Sequence, residues 1–397
     1  MSDTTRPARM LARTYAQRLN EVKERFVGRD RVIDLLGIAA LCNEHVLVIG
    51  PPGTAKTRLL NDFCGMLETK PFTYLLTRFT EPAEIFGPIN VKRFQQDGVY
   101  EINTEGMLPT ARIAFLDEVF QGSSAILNTL LTLINERTFH DGRTSGTTPL
   151  ITLVGSSNEI PDDPVLAAFS DRFLLRCNLD YVDDEQVEEV LALGWKAERQ
   201  RIQADGVAAD PHGNRLYAPI SASDLRSLQR AVGEIDLTAV LDRYMEIMRV
   251  LRGEGIAFSD RRAVKAQKIF AASALLAGRS RAELSDLAYL IHLWTAPEDE
   301  ESLRRIVSDH GVPVDEPGGR VREVYEIVQV DLDEIVTRRG QVGTEHELRE
   351  LTRRIQRLIT ELRRDHPDEE AALERVKREH RTTLTLLGER FGREGLG

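Results

Sequence analysis

Gly50-Pro51-Pro52-Gly53-Thr54-Ala55-Lys56-Thr57 (GPPGTAKT) follows the β-branched run His45–Ile49 (HVLVI) and precedes a helical pattern. A short apolar run closed by Gly-Pro-Pro-Gly reads as a buried strand ending in a tight turn. Glycines in such a turn let successive backbone N–H groups point inward, where they cradle phosphate oxygens. The helix that follows adds its positive N-terminal end. In this arrangement Lys56 reaches the β- and γ-phosphates of a nucleotide, and the Thr57 hydroxyl binds Mg²⁺. The general pattern has glycine just before the lysine, whereas Ala55 stands here. If the position needs a positive φ, alanine carries a cost.

Three further runs share the character of His45–Ile49: Ile113–Leu116, Leu150–Val154 and Leu174–Leu179. Helical patterning between them predicts alternating β/α units and an α/β fold. Ile113–Glu118 (IAFLDE) ends in two carboxylates. Asp117 at the strand tip is placed to hold Mg²⁺ through water, and Glu118 to orient and polarise the attacking water. The next strand runs into Ser156-Ser157-Asn158-Glu159, where Asn158 can share that water with Glu118. In Ser170-Asp171-Arg172-Phe173, Arg172 can supply positive charge to the γ-phosphate. Taken alone, these are a solvated strand end, a turn-capping Asn before Ile160-Pro161 and a surface ion pair. Paired with the phosphate loop, the acidic strand tip is a strong signal.

Upstream, apolar residues recur at helical spacing from Tyr15 to Leu41, interrupted by Phe26-Val27-Gly28-Arg29-Asp30; Gly28 permits a turn and Asp30 can cap the next helix. Val91–Ile102, around Asp97-Gly98, and Thr138–Pro149, around Asp141-Gly142, predict β-hairpins, with ordinary surface loops as the alternative. From Asp183 to about Trp294 the pattern is helical, broken at Asp205–Pro219. Thr295–Pro317 is rich in proline and acid and marks a boundary. Beyond it Leu348, Leu351, Ile355, Leu358 and Leu362 repeat at spacings of three and four. A turn at Asp365-His366-Pro367-Asp368 follows, and Leu373, Val376, Leu384 and Leu387 resume the stripe, which predicts a coiled-coil-like helical hairpin. The charges flanking that stripe, such as Arg353, Arg354, Arg363 and Arg364, read as a solvated face, with a docking arm as the functional alternative.

The 397 residues correspond to two or three domains, and 52 basic against 63 acidic residues leave a net charge of −11. With 42% apolar residues the chain has material for a sizeable core, which excludes disorder of the whole. Bulk acidity disfavours nonspecific binding to nucleic acid or anionic membrane. Cys42, Cys64 and Cys177 stand far apart, which excludes a disulfide scaffold and fits a reducing compartment. The histidines, His310 and His366 among them, form no zinc-binding pattern. Acidic clusters at Asp183–Glu185 and Glu298–Glu301 read as helix-flanking. No secretory leader is visible at the first residues, and no apolar stretch approaches the length of a membrane span. The expectation is a soluble, cytoplasmic protein.

With its phosphate loop, acidic strand tip, Asn158 and Arg172 in this order, the chain resembles the AAA+ ATPases, and within them the MoxR family. GPPGTAKT at Gly50, TRFTEPAEIFGP at Thr77–Pro88, GMLPTARIAFLDEVFQGSSAILNTLLTLINERTF at Gly106–Phe139, SSNEIP at Ser156 and SDRF at Ser170 carry the resemblance. It looks closest to the RavA-like branch through Arg78-Phe79 and Ser259-Asp260-Arg261-Arg262, and covers roughly residues 15–295.

The resemblance implies an αβα P-loop nucleotide-binding core with β-hairpin insertions over 1–182, an all-α lid over 183–296, and a linker with the helical hairpin over 297–397. It implies ATP and Mg²⁺ as cofactors, with Gly50, Pro51, Pro52, Gly53, Thr54, Ala55, Lys56, Thr57 and Arg58 around the phosphates and Val27-Gly28 near adenine. Ala55 is common at its position in the family. It also implies a homo-oligomeric ring, usually a hexamer, hydrolysing ATP between neighbours. Lys56, Thr57, Asp117, Glu118 and Asn158 then act in their own subunit, while Arg172 reaches the next one's nucleotide. Arg261 matches the lid's sensor arginine; Arg262 leaves that register open by one, and whether it acts in its own or a neighbouring subunit stays open too. By analogy the insertions face the pore or substrate, which makes Phe94, Tyr100 and His140 candidates for substrate contact. The function implied is chaperone-like remodelling or activation of a protein client, often one with a von Willebrand factor A domain. A metal-chelatase-type motor subunit, a nucleotide-gated scaffold with slow hydrolysis and a DNA-translocating motor are the alternatives; net acidity disfavours a nucleic-acid partner.

Overall fold

The computed structural model describes residues 5–141, 145–203, 219–314, 339, 344–365 and 370–391. Gly142 of the second expected hairpin, residues 205–218 of the expected interruption, and His366–Asp368 of the expected C-terminal turn lie outside these residues. The chain divides into two compact units, one of residues 1–277 and 281–319, the other of 278–280 and 320–397.

In the first unit, α1 (Thr5–Lys23) and α2 (Asp30–Cys42) precede β1 (Val46–Ile49). Then come α3 (Lys56–Met66), β2 (Phe72–Leu75), α4 (Pro82–Phe86), α5 (Val91–Asp97), β3 (Ile113–Asp117) and α6 (Ser124–Glu136). The short strands β4 (Thr138–His140) and β5 (Ser145–Thr147) follow, and then β6 (Thr152–Ser157), α7 (Pro164–Ser170) and β7 (Leu175–Asn178). Five strands form one parallel sheet in the order β2-β3-β6-β1-β7. The near-continuous apolar runs of β1 and β3 follow from this, because a parallel sheet covered by helices is buried on both faces. Val46 stands opposite both Val154 and Leu175, and Ile113 opposite Thr152. Parallel pairing therefore brings the carboxyl ends of β1, β3 and β6 side by side.

The two expected hairpins have different outcomes. β4 and β5 pair antiparallel, Thr138 with Thr147 and His140 with Ser145. Val91–Asp97, by contrast, is a helix and corrects the first expectation. Asn90 caps its start through Arg93 N–H, and Gly98 ends it at φ 66°. Only the base of the segment pairs, with Ile89 opposite Ile102 and Asn90 N–H donating to Glu101 O at 2.8 Å. Asp-Gly supplies the positive φ needed by a hairpin turn and by a helix C-cap alike.

The helical part of this unit comprises α8 (Val187–Gln203), α9 (Ala222–Val232), α10 (Thr238–Gly253), α11 (Asp260–Leu276) and α12 (Asp299–Asp309). Ser221 and Asp224 form a capping box on α9, and Ser259 caps α11. Ile269 and Phe270 of α11 are buried, as are Leu287, Ile291 and Trp294. α12 begins after residue 296 and buries Leu303, Ile306 and Val307 in the same unit. Buried Glu44 receives Lys265 at 2.6 Å and Lys268, and Gln229 Nε2 donates to Ala40 O at 2.8 Å, which fastens α9 and α11 to the end of α2. In the second unit, helices Glu345–Asp365 and Glu370–Phe391 pack together over buried Leu348, Ile355 and Val376, with Arg339 paired to Glu379 at 2.9 Å. Among the described residues no helix is long and apolar enough to cross a membrane.

His45, at the amino end of β1, ties the sheet to α6. Its Nδ1 accepts from Leu153 N–H at 2.9 Å and its Nε2–H donates to Ile134 O at 3.4 Å. Burial, with Arg137 and Lys265 nearby, holds its pKa well below the ordinary histidine value. A depressed folded pKa means that the unfolded chain binds the proton first, so stability is full above about pH 6.5 and is lost as pH falls. His45→Gln keeps a neutral donor and acceptor without titrating. The stability of the parent relative to this variant is expected to fall by about 2 kcal/mol between pH 7.5 and 5.0. Denaturant unfolding of both at the two pH values checks this; a pH-independent difference refutes it.

Candidate functional site

The loop of residues 50–57, the expected phosphate loop, grows out of β1 under tight backbone constraint. Gly50 N–H donates to Ser157 O at 3.0 Å, and Leu179 N–H donates to Ile49 O at 2.7 Å. A Cβ on Gly50 would stand 1.9 Å from Leu179 O, so glycine is required here by the approach of the β7 exit as well as by any ligand. Gly53 takes φ 83° and Ala55 φ 63°, so the loop passes twice through left-handed backbone before α3 begins. At Ala55 this costs about 1 kcal/mol. Such strain at a helix entrance is held by its surroundings and clusters at functional sites. Thr54 Oγ1 donates to Pro51 O at 3.1 Å, and Lys56 Nζ donates to Gly50 O at 2.9 Å, folding the ammonium back across the loop.

A second turn leans on the first. Gly28 takes φ 65°, and a Cβ there would meet Gln186 Oε1 at 3.0 Å and Val182 at 3.4 Å. Buried Arg29 spans both turns, with Nη1 donating to Gly28 O at 3.0 Å and Nε to Thr54 O at 3.4 Å. Burial pushes its pKa down, opposed by Cys177 and Asp180. Sequence reasoning missed Arg29; its only signal was an arginine beside a turn glycine. Tyr181 closes the group, its hydroxyl donating to Pro52 O at 3.3 Å, and the Arg58 guanidinium lies 5.5 Å from the centre of the Phe26 ring. Val27-Gly28, the phosphate loop and residues 181–186 thus form one cluster.

The acidic side is set by strand register. Leu116 opposite Gly155 places Asp117 beside Ser156, whose hydroxyl donates to Asp117 Oδ1. Glu118 then takes φ 52° as the chain leaves β3, and Asn158 Nδ2 donates to its Oε1 at 3.1 Å. Burial and the neighbouring Asp117 charge push the Glu118 carboxyl pKa up, against the pull of Lys56. The structure therefore brings Lys56, Asp117, Glu118 and Asn158 together at the carboxyl end of the sheet. Thr57 is exposed on the first turn of α3.

Arg172 and Arg261 lie elsewhere. Arg172 precedes β7, and Arg261 sits on the first turn of α11 with Nη2 donating to Asn135 Oδ1 at 3.1 Å. They line one pocket with Asp171, Leu174 and Lys265, at the amino end of the strands. Four strand residues at about 3.3 Å each separate that end from the phosphate-loop end. Arg262 also lines this pocket but is buried and fully engaged, with Asp171 at 2.9 Å, Leu174 O at 3.0 Å and Leu293 O at 3.1 Å. Of the adjacent pair, Arg261 is the exposed one. Arg176 was not singled out from sequence; buried, with a pKa lowered to about 9 chiefly by burial, it donates to Ser170 O at 2.8 Å and lies over Trp294.

A five-stranded parallel sheet in this order, with the glycine-bearing loop 50–57 leaving β1, an acidic tip on β3 two strands away and a helical lid, defines the chain as an α/β AAA+ protein. Its residues 13–213 match the family model described as the MoxR domain in the MoxR-vWA-beta-propeller ternary systems, and residues 239–307 match an AAA lid domain. The chain belongs to the MoxR family of AAA+ ATPases. It is similar to two uncharacterized proteins of Methanocaldococcus jannaschii, 35% identical over 70% of this chain and 71% of the relative, and 36% over 73% and 72%. It is 28% identical to the chaperone MoxR1 of Mycobacterium tuberculosis over 45% of this chain and 47% of that protein. The crystal structure of a candidate ATPase from Cytophaga hutchinsonii shares the fold, with a TM-score of 0.59 at 19% identity over 77% of this chain and 96% of that one.

Proposed function

We propose that the chain hydrolyses ATP at interfaces between copies of itself, in a ring of the hexameric kind, and uses the energy to remodel or activate a partner protein. The observation that carries this reading is the separation of the site into two ends of one sheet. Lys56, Asp117, Glu118 and Asn158 gather at the carboxyl end, and the Arg172 and Arg261 pocket lies at the amino end. With the two groups at opposite ends of the strands, a head-to-tail arrangement of copies brings the Arg172 and Arg261 face of one to the 50–57 loop of the next.

In this reading the nucleotide phosphates rest on residues 50–57 and the α3 N-terminus, with Arg58 on α3 and adenine against Val27-Gly28. Thr57 and Asp117 offer hydroxyl and carboxylate oxygens, a donor set suited to Mg²⁺, which would neutralise charge on the transferred phosphoryl group. Glu118, positioned by Asn158, orients the attacking water and accepts its proton. Arg172 and Arg261 of the next copy supply positive charge, while Arg262 holds the lid in place. The domain division proposed is a core over 1–182, a lid from 183 and a helical hairpin near the C-terminus. The description of the matched family, a MoxR domain in MoxR-vWA-beta-propeller systems, supports a von Willebrand factor A protein as the client. Exposed Phe94, Tyr100 and His140 on the insertions are the proposed client contacts.

ATP turnover per chain tests the reading directly. It is expected to rise at least tenfold as protein concentration is raised through the assembly range and then to level off. Turnover per chain that is constant upon dilution into the monomeric range overturns it.

A further inference from the structure

Ser156 and Ser157 end β6 with two buried polar residues after Leu153 and Val154. A buried hydroxyl costs free energy unless it is hydrogen-bonded, so the partner of each polar group here carries information. β6 lies between β1 and β3, and consecutive residues at its carboxyl end meet the two halves of the site. On one side Ser157 O accepts from Gly50 N–H at 3.0 Å, where the 50–57 loop begins. On the other, Asn158 Nδ2 donates to Glu118 Oε1, and the Ser156 hydroxyl donates to Asp117 Oδ1.

The way Asp117 is held is specific. Its Oδ1 accepts from Glu118 N–H at 3.2 Å as well as from Ser156. Two donors on one oxygen fix the plane of the carboxylate, and among the described residues no donor engages Oδ2. A carboxylate with one oxygen bonded to the protein and the other left open is the arrangement of a metal ligand with an outer-shell partner. Packing alone gives no reason for the serine. An apolar residue would fill the strand as Leu153 and Val154 do, and the hydroxyl is compensated only through its charge-assisted bond to Asp117.

We infer that Ser156 is a positioning residue that orients the Asp117 carboxylate, so that its open oxygen is presented to Mg²⁺ or to a water bound to it. Ser157 holds the start of the 50–57 loop from the same strand end, so β6 sets the spacing between the loop and the acidic tip. The inference rests on the nucleotide and Mg²⁺ reading above and adds the residue that aims its carboxylate.

Fluorescent ATP binding to the full chain, first freed of divalent cations by a chelator, is followed as Mg²⁺ is added. In Ser156→Ala the Mg²⁺ concentration that gives half of the gain in affinity is expected to rise about tenfold, the loss typical of removing an outer-shell partner. Metal-free ATP affinity and melting temperature are expected to match the parent. Asp117→Ala is expected to abolish most of the gain. A parental Mg²⁺ midpoint in Ser156→Ala overturns the role of Ser156 and leaves the reading of Asp117 standing. A metal-free affinity that falls as far as the Mg²⁺ midpoint rises marks a packing defect and also overturns it. A parent that gains no affinity from Mg²⁺, or a gain that survives Asp117→Ala, overturns the reading of Asp117 together with the inference. If Ser156→Ala does not fold, Ser156→Cys, which keeps the volume and weakens the donor, is read by the same outcomes.

Discussion

Glu118→Gln is expected to lower ATP turnover by about 10²- to 10⁴-fold while leaving ATP affinity within threefold of the parent. The substitution removes one proton-accepting oxygen and little else. Glutamine keeps the length of the side chain, and its Oε1 still accepts from Asn158 Nδ2, the contact that stands at 3.1 Å in the parent. Among the described residues, the interaction of Glu118 with the 50–57 loop is its charge interaction with Lys56, so the loop and α3 are expected to stay as they are. Loss of that negative charge frees Lys56 slightly, and binding can tighten. The parent has its own signature in pH. Because burial and Asp117 raise the Glu118 pKa, the carboxylate is protonated at a higher pH than an ordinary glutamate, and turnover is lost as pH falls through that raised value. Phosphate release and fluorescent nucleotide binding, measured side by side across pH, check both halves. Parental turnover in the variant removes Glu118 from the chemistry.

The residues around Glu118 are legible because β1 and β3, buried among helices, read as unbroken apolar runs up to Ile49 and Leu116. β6 and β7 show themselves by the apolar stretches Leu150–Val154 and Leu174–Leu175, although Thr152, Ser156, Ser157, Arg176 and Asn178 lie within the strands. β2 does not: Phe72–Leu75 alternates between half-buried and exposed positions at the sheet edge, so Phe-Thr-Tyr-Leu carries little contrast with a loop. The helix Val91–Asp97 reads as a hairpin in the sequence because Gly98 supplies a positive φ without saying which kind of ending uses it. Arg29 was invisible for another reason. Its role consists of two bonds to backbone carbonyls, on Gly28 and Thr54, and backbone carbonyls leave no trace in residue identity. The Arg261–Arg262 ambiguity is of the same kind. Two identical neighbours on one helical turn differ only in facing, and burial of Arg262 against Asp171, Leu174 O and Leu293 O decides which one remains outside.

That placement makes Arg172 the residue whose loss separates binding from chemistry most cleanly. Arg172→Ala is expected to cut turnover about 10³-fold, the range seen when a charge-stabilising arginine is removed from phosphoryl transfer. Affinity of the dilute chain for ATP is expected to be unchanged, because Arg172 lies at the amino end of β7 and the phosphate loop at the carboxyl end of the adjacent β1. Mixing distinguishes action on a neighbour from action at home. Arg172→Ala subunits keep Glu118, and Glu118→Gln subunits keep Arg172, so each population alone is nearly inactive. In an equal mixture, an interface that takes Glu118 from the first kind and Arg172 from the second is whole. Random head-to-tail assembly makes about a quarter of the interfaces of this type, and turnover is expected to return to about that fraction of the parent. An arginine acting on its own phosphate loop predicts no recovery at any ratio, because no subunit in the mixture carries both residues. Recovery that tracks the product of the two subunit fractions, with its maximum at equal mixing, is the result expected of a site divided between copies.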